Sequence, residues 1–191
     1  MLFRSNEMNI FFLHQSPIIA AQEHADIHVG KMLLESCQLL ATAHHELGNG
    51  AAVTYKPTHK NHPCAVWVRQ SRTHYAYVSD LAFYLAREFR KRFGKAHKCE
   101  EILNNELRFP PAALTSAAWS KPPQAMPEEF RGDDHIEAYK RYYVSKADTM
   151  TMRWRKSEEN APWWFIVNRN NYLAQKGQYV NSVAHTEQVS V

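Results

Sequence analysis

His24-Ala25-Asp26-Ile27-His28-Val29-Gly30-Lys31-Met32-Leu33-Leu34-Glu35-Ser36-Cys37-Gln38-Leu39-Leu40-Ala41-Thr42 is the stretch on which the fold turns. Its polar residues His24, His28, Lys31, Glu35, Gln38 and Thr42 recur at alternating steps of four and three, which places them in one line on a helix. Ile27 and Leu34 border that line on one side, Met32 and Leu39 on the other, and Val29, Leu33, Cys37 and Leu40 form the far face. A helix that is apolar nearly all round belongs in an interior. A titratable line on such a helix must open into a cleft or be paired internally. The plain alternative is a Lys31–Glu35 ion pair one turn apart, but the histidines and the amide extend the line well beyond one pair.

Working outward, Ser16-Pro17 reads as a helix start, with the pattern running to about Leu47 and an interruption expected near Asp26, which could cap a second helix. Gly48-Asn49-Gly50 stops it. Met8–Leu13 is a short apolar run of extended chain, and residues 51–63 form a loop. A second helical pattern covers Cys64 to Phe93, with Val78, Leu81, Ala82, Leu85, Phe89 and Phe93 on one face and Gly94 as its stop. A shorter helix is expected over 97–107. Residues 108–132 hold five of the nine prolines and read as an irregular crossing. Asp133 or Asp134 caps a last long helix with the stripe Tyr139, Tyr142, Tyr143, Ala147, Met150 and Trp154, onto which Pro162–Phe165 folds back.

With 191 residues, 45% hydrophobic and only 6 glycines, the composition suits one mainly α, compact helical domain with an extended N-terminal segment and Pro-rich crossings. The expected organisation is a flexible arm at 1–7, a helical domain at 8–167 and a mobile tail at 168–191. No apolar run is long enough to span a membrane. Cys37, Cys64 and Cys99 form neither a zinc pattern nor a disulfide framework, as expected of a reducing cytoplasm.

The net charge of +4 is uneven. Arg87, Arg90, Lys91, Arg92, Lys95 and Lys98 crowd one window, and Lys140, Arg141, Lys146, Arg153, Arg155 and Lys156 another. Basic windows with interleaved aromatics are the footprint of phosphate binding; Arg87, Arg90, Arg131, Lys146, Arg153 and Arg155 are the candidate contacts. Seven of the 11 histidines fall in the first 62 residues, which argues for a chemical site there. Thr58-His59-Lys60-Asn61-His62-Pro63 adds a loop of donors and acceptors suited to a heterocycle edge, so His24, His59, Asn61, His62 and Trp67 are candidate base-pocket residues. No metal-ligating motif accompanies them.

Glu23-His24-Ala25-Asp26-Ile27-His28-Val29 resembles the first helix of the pyrimidine-dimer DNA glycosylases of the endonuclease V type, and Glu35 falls where that family carries its catalytic glutamate. Pro127-Glu128-Glu129-Phe130-Arg131-Gly132-Asp133 resembles the family's Pro-Gln-Glu-Phe-Arg-Gly-Asp, and Pro162-x-Trp164-Phe165 its closing Pro-x-Trp-Tyr, in the same order. Asp26, His28, Lys31 and Glu35, the Asn61-His62-Pro63 loop and Trp67 are also similar to a branch of antiphage glycosylases that remove glucosylated 5-hydroxymethylcytosine. The resemblance implies a helical fold, base excision from double-stranded DNA by a monomer, and no cofactor. The chain departs from the family at Leu34, which replaces an arginine. It also departs at Met1-Leu2 or Met8-Asn9, where the family presents a small residue whose α-amine is the nucleophile.

The expected chemistry is monofunctional hydrolysis of an N-glycosidic bond. Glu35 stabilises the sugar cation and orients water, with Asp26 as a reserve carboxylate. His28, Asn61 and His62 are donors to the departing base. Lys31 tunes Glu35, touches a phosphate or, if desolvated, acts as an imine nucleophile. The alternatives are a base-modifying transferase on hypermodified phage DNA, a non-enzymatic DNA-binding protein and a metal-dependent hydrolase.

Overall fold

The computed structural model describes residues 8–177, so the expected arm at 1–7 and the stretch 178–191 lie outside the described residues. The chain is mainly helical: α1 (Pro17–Glu23), α2 (Asp26–Glu46), α3 (Pro63–Val68), α4 (Arg72–Phe93), α5 (Cys99–Ile102), α6 (His135–Ser145) and α7 (Trp163–Gln175). Helix α5 runs on through a π-helical turn at Leu103–Leu107, and α6 through a 3-10 turn at Lys146–Asp148. None of the described helices is long and apolar enough to cross a membrane.

Both helical patterns divide into two helices, the first beside Asp26, where an interruption is expected, and the second where none is. The first pattern breaks at His24 and Ala25, both extended, so His24 caps α1 and is not on α2. The second breaks at Ser71, whose hydroxyl accepts the Thr73 N–H at 3.2 Å and starts α4 after α3 has ended. At Ser71 local capping beats an apolar periodicity that runs unbroken through the junction. At the start of α6 the cap is Asp134, which accepts the Ile136 and Glu137 amides.

Helix α2 is the centre of the bundle. It packs along α4, and α1 packs on α4 beside it. Met8–Leu13, buried without helix or ladder, lies against α2 and α6. Two of its amides, of Ile10 and Phe11, are satisfied by Asn9 Oδ1, and Asn9 Nδ2 donates to the Ala125 carbonyl at 2.8 Å. Phe11 has a φ of +46°, rare for an aromatic residue and supported by these contacts.

Helix α7 packs on α6, with Trp164 and Phe165 against Tyr143. It continues to Gln175, so the expected domain boundary at 167 falls inside a helix. Arg169, Tyr172 and Lys176 all donate to the Asp148 carboxylate, at 2.6, 2.6 and 2.9 Å, which anchors this stretch.

Tyr143 ties α6 to the α1–α2 junction: its buried hydroxyl accepts the Ala25 N–H at 2.9 Å and meets His28 Nδ1 at 2.8 Å. Tyr143→Phe leaves that amide unpaired in the interior. The expected loss is about 1–3 kcal/mol in urea unfolding; a loss under about 0.5 kcal/mol would show the junction to be held by packing alone.

Candidate functional site

The polar line of α2 does open into a hollow. His28, Lys31 and Glu35 line a cavity of about 270 Å³, just under the range of about 300–1,000 Å³ usual for small-molecule sites. Its other walls come from Asn9 and Phe11, from Pro127–Phe130, from Tyr142 to Met150, and from Tyr172. Of four larger hollows, those of about 580, 710 and 430 Å³ are lined by no buried carboxylate, and the buried Glu88 lining the fourth, of about 330 Å³, is bonded to Arg92 at 2.9 Å. The 580 Å³ hollow borders the first along Asp148–Met150.

Glu35 is 9% exposed. Its Oε2 accepts the Asn9 backbone N–H at 2.9 Å, and its Oε1 lies 3.8 Å from Lys31 Nζ. Burial raises its pKa above the usual carboxylate value, while the Asn9 amide, Lys31 and Lys146 pull it back. Lys146 donates to the Tyr142 hydroxyl at 2.7 Å and sits 4.1 Å from the centre of that ring. Aromatic walls close the hollow: Phe130 lies 5.4 Å from Tyr142 and 6.5 Å from Tyr172, and Phe11 lies 5.2 Å from His28.

His28 is neutral at physiological pH, because burial depresses its pKa to about 3. The Tyr143 hydroxyl accepts from Ala25 and shares a hydrogen bond with His28 Nδ1. His28 is therefore a neutral imidazole lining the same hollow as the carboxylate.

Other expected site residues are elsewhere. His24 is fully buried behind Phe11 and Tyr143, bonded through Nδ1 to the Ala20 carbonyl, and does not line the hollow. Asp26 is not a reserve carboxylate, nor does it cap α2. It accepts from Arg92 at 3.1 Å and from the Arg155 and Lys156 amides at 2.9 and 2.7 Å.

The histidine loop stays outside the hollow as well. His62 Nδ1 accepts the Cys64 amide and starts α3, His59 bonds to Thr58, and Asn61 is exposed. Trp67 stacks on His74 at 4.3 Å and donates to Ser120. The loop is pinned to α2 through Thr42, whose hydroxyl meets the Thr58 backbone.

Of the expected phosphate contacts, Lys146 lines the hollow and Arg131, exposed, follows Phe130. Arg87 lies over Phe83, Arg90 pairs with Glu100 at 3.0 Å, and Arg153 and Arg155 flank the α2 N-terminus. Asn9, Phe11, Phe130, Tyr142 and Tyr172 went unassigned in the sequence. Only Asn9 carried a signal there, as the one polar residue inside the apolar run at 8–13. Among the described residues no three His, Cys, Asp or Glu side chains are placed to share an ion. Comparison with protein-family models, curated proteins and solved structures finds no match for this chain.

Burial depresses His24 to about 4 and His28 to about 3, against about 6.5 for each in the unfolded chain. Between those values the unfolded chain binds more protons, so the stability these histidines contribute is complete above pH 6.5 and is lost as pH falls towards 4. Glu35 has the opposite sign, and its raised pKa costs stability as pH rises through it. The two histidines together outweigh one carboxyl. The unfolding midpoint should fall from pH 6.5 to 4, and the slope should be shallower in His24→Gln. Equal slopes in wild type and variant would refute the assignment.

Proposed function

We propose that this protein is a DNA N-glycosylase that excises a bulky or modified pyrimidine. Glucosylated 5-hydroxymethylcytosine of phage DNA is favoured over the pyrimidine dimer, in a cytoplasmic defence role. The observation that carries the reading is Glu35: a buried carboxylate with a raised pKa, one oxygen held by a backbone amide, lining an aromatic-walled hollow.

Cleavage of the glycosidic bond leaves positive charge on the sugar and sends the bonding electrons to the base. Glu35 offsets the first charge and takes a proton from the water that adds to the anomeric carbon, a task favoured by a basicity raised through burial. The proton passes to the departing base, so the products are a neutral base and an abasic site. The His28 imidazole and the Lys146 ammonium group, which line the same hollow, are assigned as donors to the base's developing charge. The substrate nucleotide must leave the stack to reach the hollow, and Phe130, Tyr142 and Tyr172 supply faces for it.

Wild type and Glu35→Gln are to be incubated with unmodified, ultraviolet-irradiated and glucosylated hydroxymethylcytosine DNA, and alkali-labile sites counted. The variant should keep its affinity for DNA and lose at least about 100-fold in base release. Undiminished release in the variant refutes Glu35 as the acting carboxylate, and no release by wild type from any of the three DNAs refutes the proposal.

A further inference from the structure

Two tight backbone hydrogen bonds, Trp154 N–H to Ser157 O at 2.8 Å and Ser157 N–H to Trp154 O at 3.1 Å, close a two-residue turn at Arg155 and Lys156. Both residues have positive φ, +49° and +69°. Such turns select Asn-Gly, because side chains are disfavoured there. Arg-Lys is an expensive choice for turning the chain, so the side chains themselves must be what the turn retains.

The turn is held from beneath. The two carboxylate oxygens of Asp26 accept the Arg155 and Lys156 amides, and Arg92 backs Asp26 while donating to Glu88 and to the carbonyls of Gln22 and His24. The Arg92 side chain is 3% exposed, so Asp26 spends its charge inward. Arg155 and Lys156 are both exposed; Lys91, which shares a hollow with Arg155, pairs with Glu88 at 4.0 Å, and Arg153 pairs with Glu158 at 3.9 Å. Strain held by an over-determined scaffold is a mark of ligand clamps.

We infer that the Arg155–Lys156 turn is a preset clasp for the phosphate backbone of duplex DNA, with each cation taking one phosphate. This rests on the glycosylase reading and adds to it an anchoring point away from the hollow. Asp26, which holds the turn, and Glu35 share α2 and lie roughly 13 Å apart along its axis.

Arg155→Asn/Lys156→Gly installs the residues the turn prefers and removes both cations, so its melting temperature should equal or exceed that of wild type. Binding of both proteins to a duplex is to be measured across 50–300 mM salt. The plot of log affinity against log salt should be less steep in the variant by about 1.8, from about 0.9 per phosphate lost, with weaker binding at low salt. A slope change below about 0.5, with wild-type binding and excision intact, overturns the clasp and leaves the glycosylase reading standing. Failure of wild type to bind duplex, or tighter binding to anionic lipid vesicles than to duplex at the same salt, overturns both.

Discussion

A carboxylate cannot be buried in the middle of a helix without a donor, and Glu35 draws its donor from Asn9, 26 residues earlier. Leaving that charge unpaired would cost several kcal/mol. The Asn9 amide, with Lys31 and Lys146 nearby, offsets the cost. The same residue explains how Met8–Leu13 can be buried with no ladder to satisfy it. Asn9 spends its side chain on the amides of Ile10 and Phe11 and on the Ala125 carbonyl. That last bond ties the N-terminal segment to the Pro-rich crossing, which carries Phe130 to the hollow. One polar residue thus sets the depth of Glu35, the wall at Phe11 and the position of the wall at Phe130.

The mainly helical fold was legible because its signals are local: periodicity in α2 and α4, a capping aspartate at α6, glycine at the end of α4. The grouping of His28, Lys31 and Glu35 was legible for the same reason, since residues on one helix face stay neighbours whatever surrounds them. His24 left the group because the interruption expected near Asp26 falls after it: His24 and Ala25 are extended, so His24 is off α2 although the phase of the pattern is preserved. The walls at Phe130, Tyr142 and Tyr172 and the Lys146 ammonium group arrive from segments about a hundred residues away, and no local pattern announces such a meeting. The histidine loop misled by composition: His62 caps a helix, and a capping histidine looks in sequence the same as one that faces a ligand.

Charge counting erred in a similar way. Arg92 sits among five other cations in its window, yet its guanidinium lies inside, divided between Glu88, Asp26 and two carbonyls. Asp26, beside it in space, is fixed by the turn amides rather than by chemistry. Once both are assigned to structure, the cations left exposed on the surface at that end of α2 are Arg155 and Lys156 on the turn, with Arg153 beside them paired to Glu158.

The distance between that surface and the hollow matters under the proposed reading. A phosphate arriving beside Glu35 would push its pKa higher and leave it protonated when a base is required. At roughly 13 Å along α2, the turn lies beyond the screening length of about 8 Å at physiological salt. Phosphates held there leave the ionisation of Glu35 to its own neighbours. Lys31 and Lys146 pull the Glu35 pKa down in a hollow whose burial raises it, and a base entering the hollow strengthens both effects by displacing water. Anchoring and chemistry are thereby placed on one helix but under separate electrostatic control.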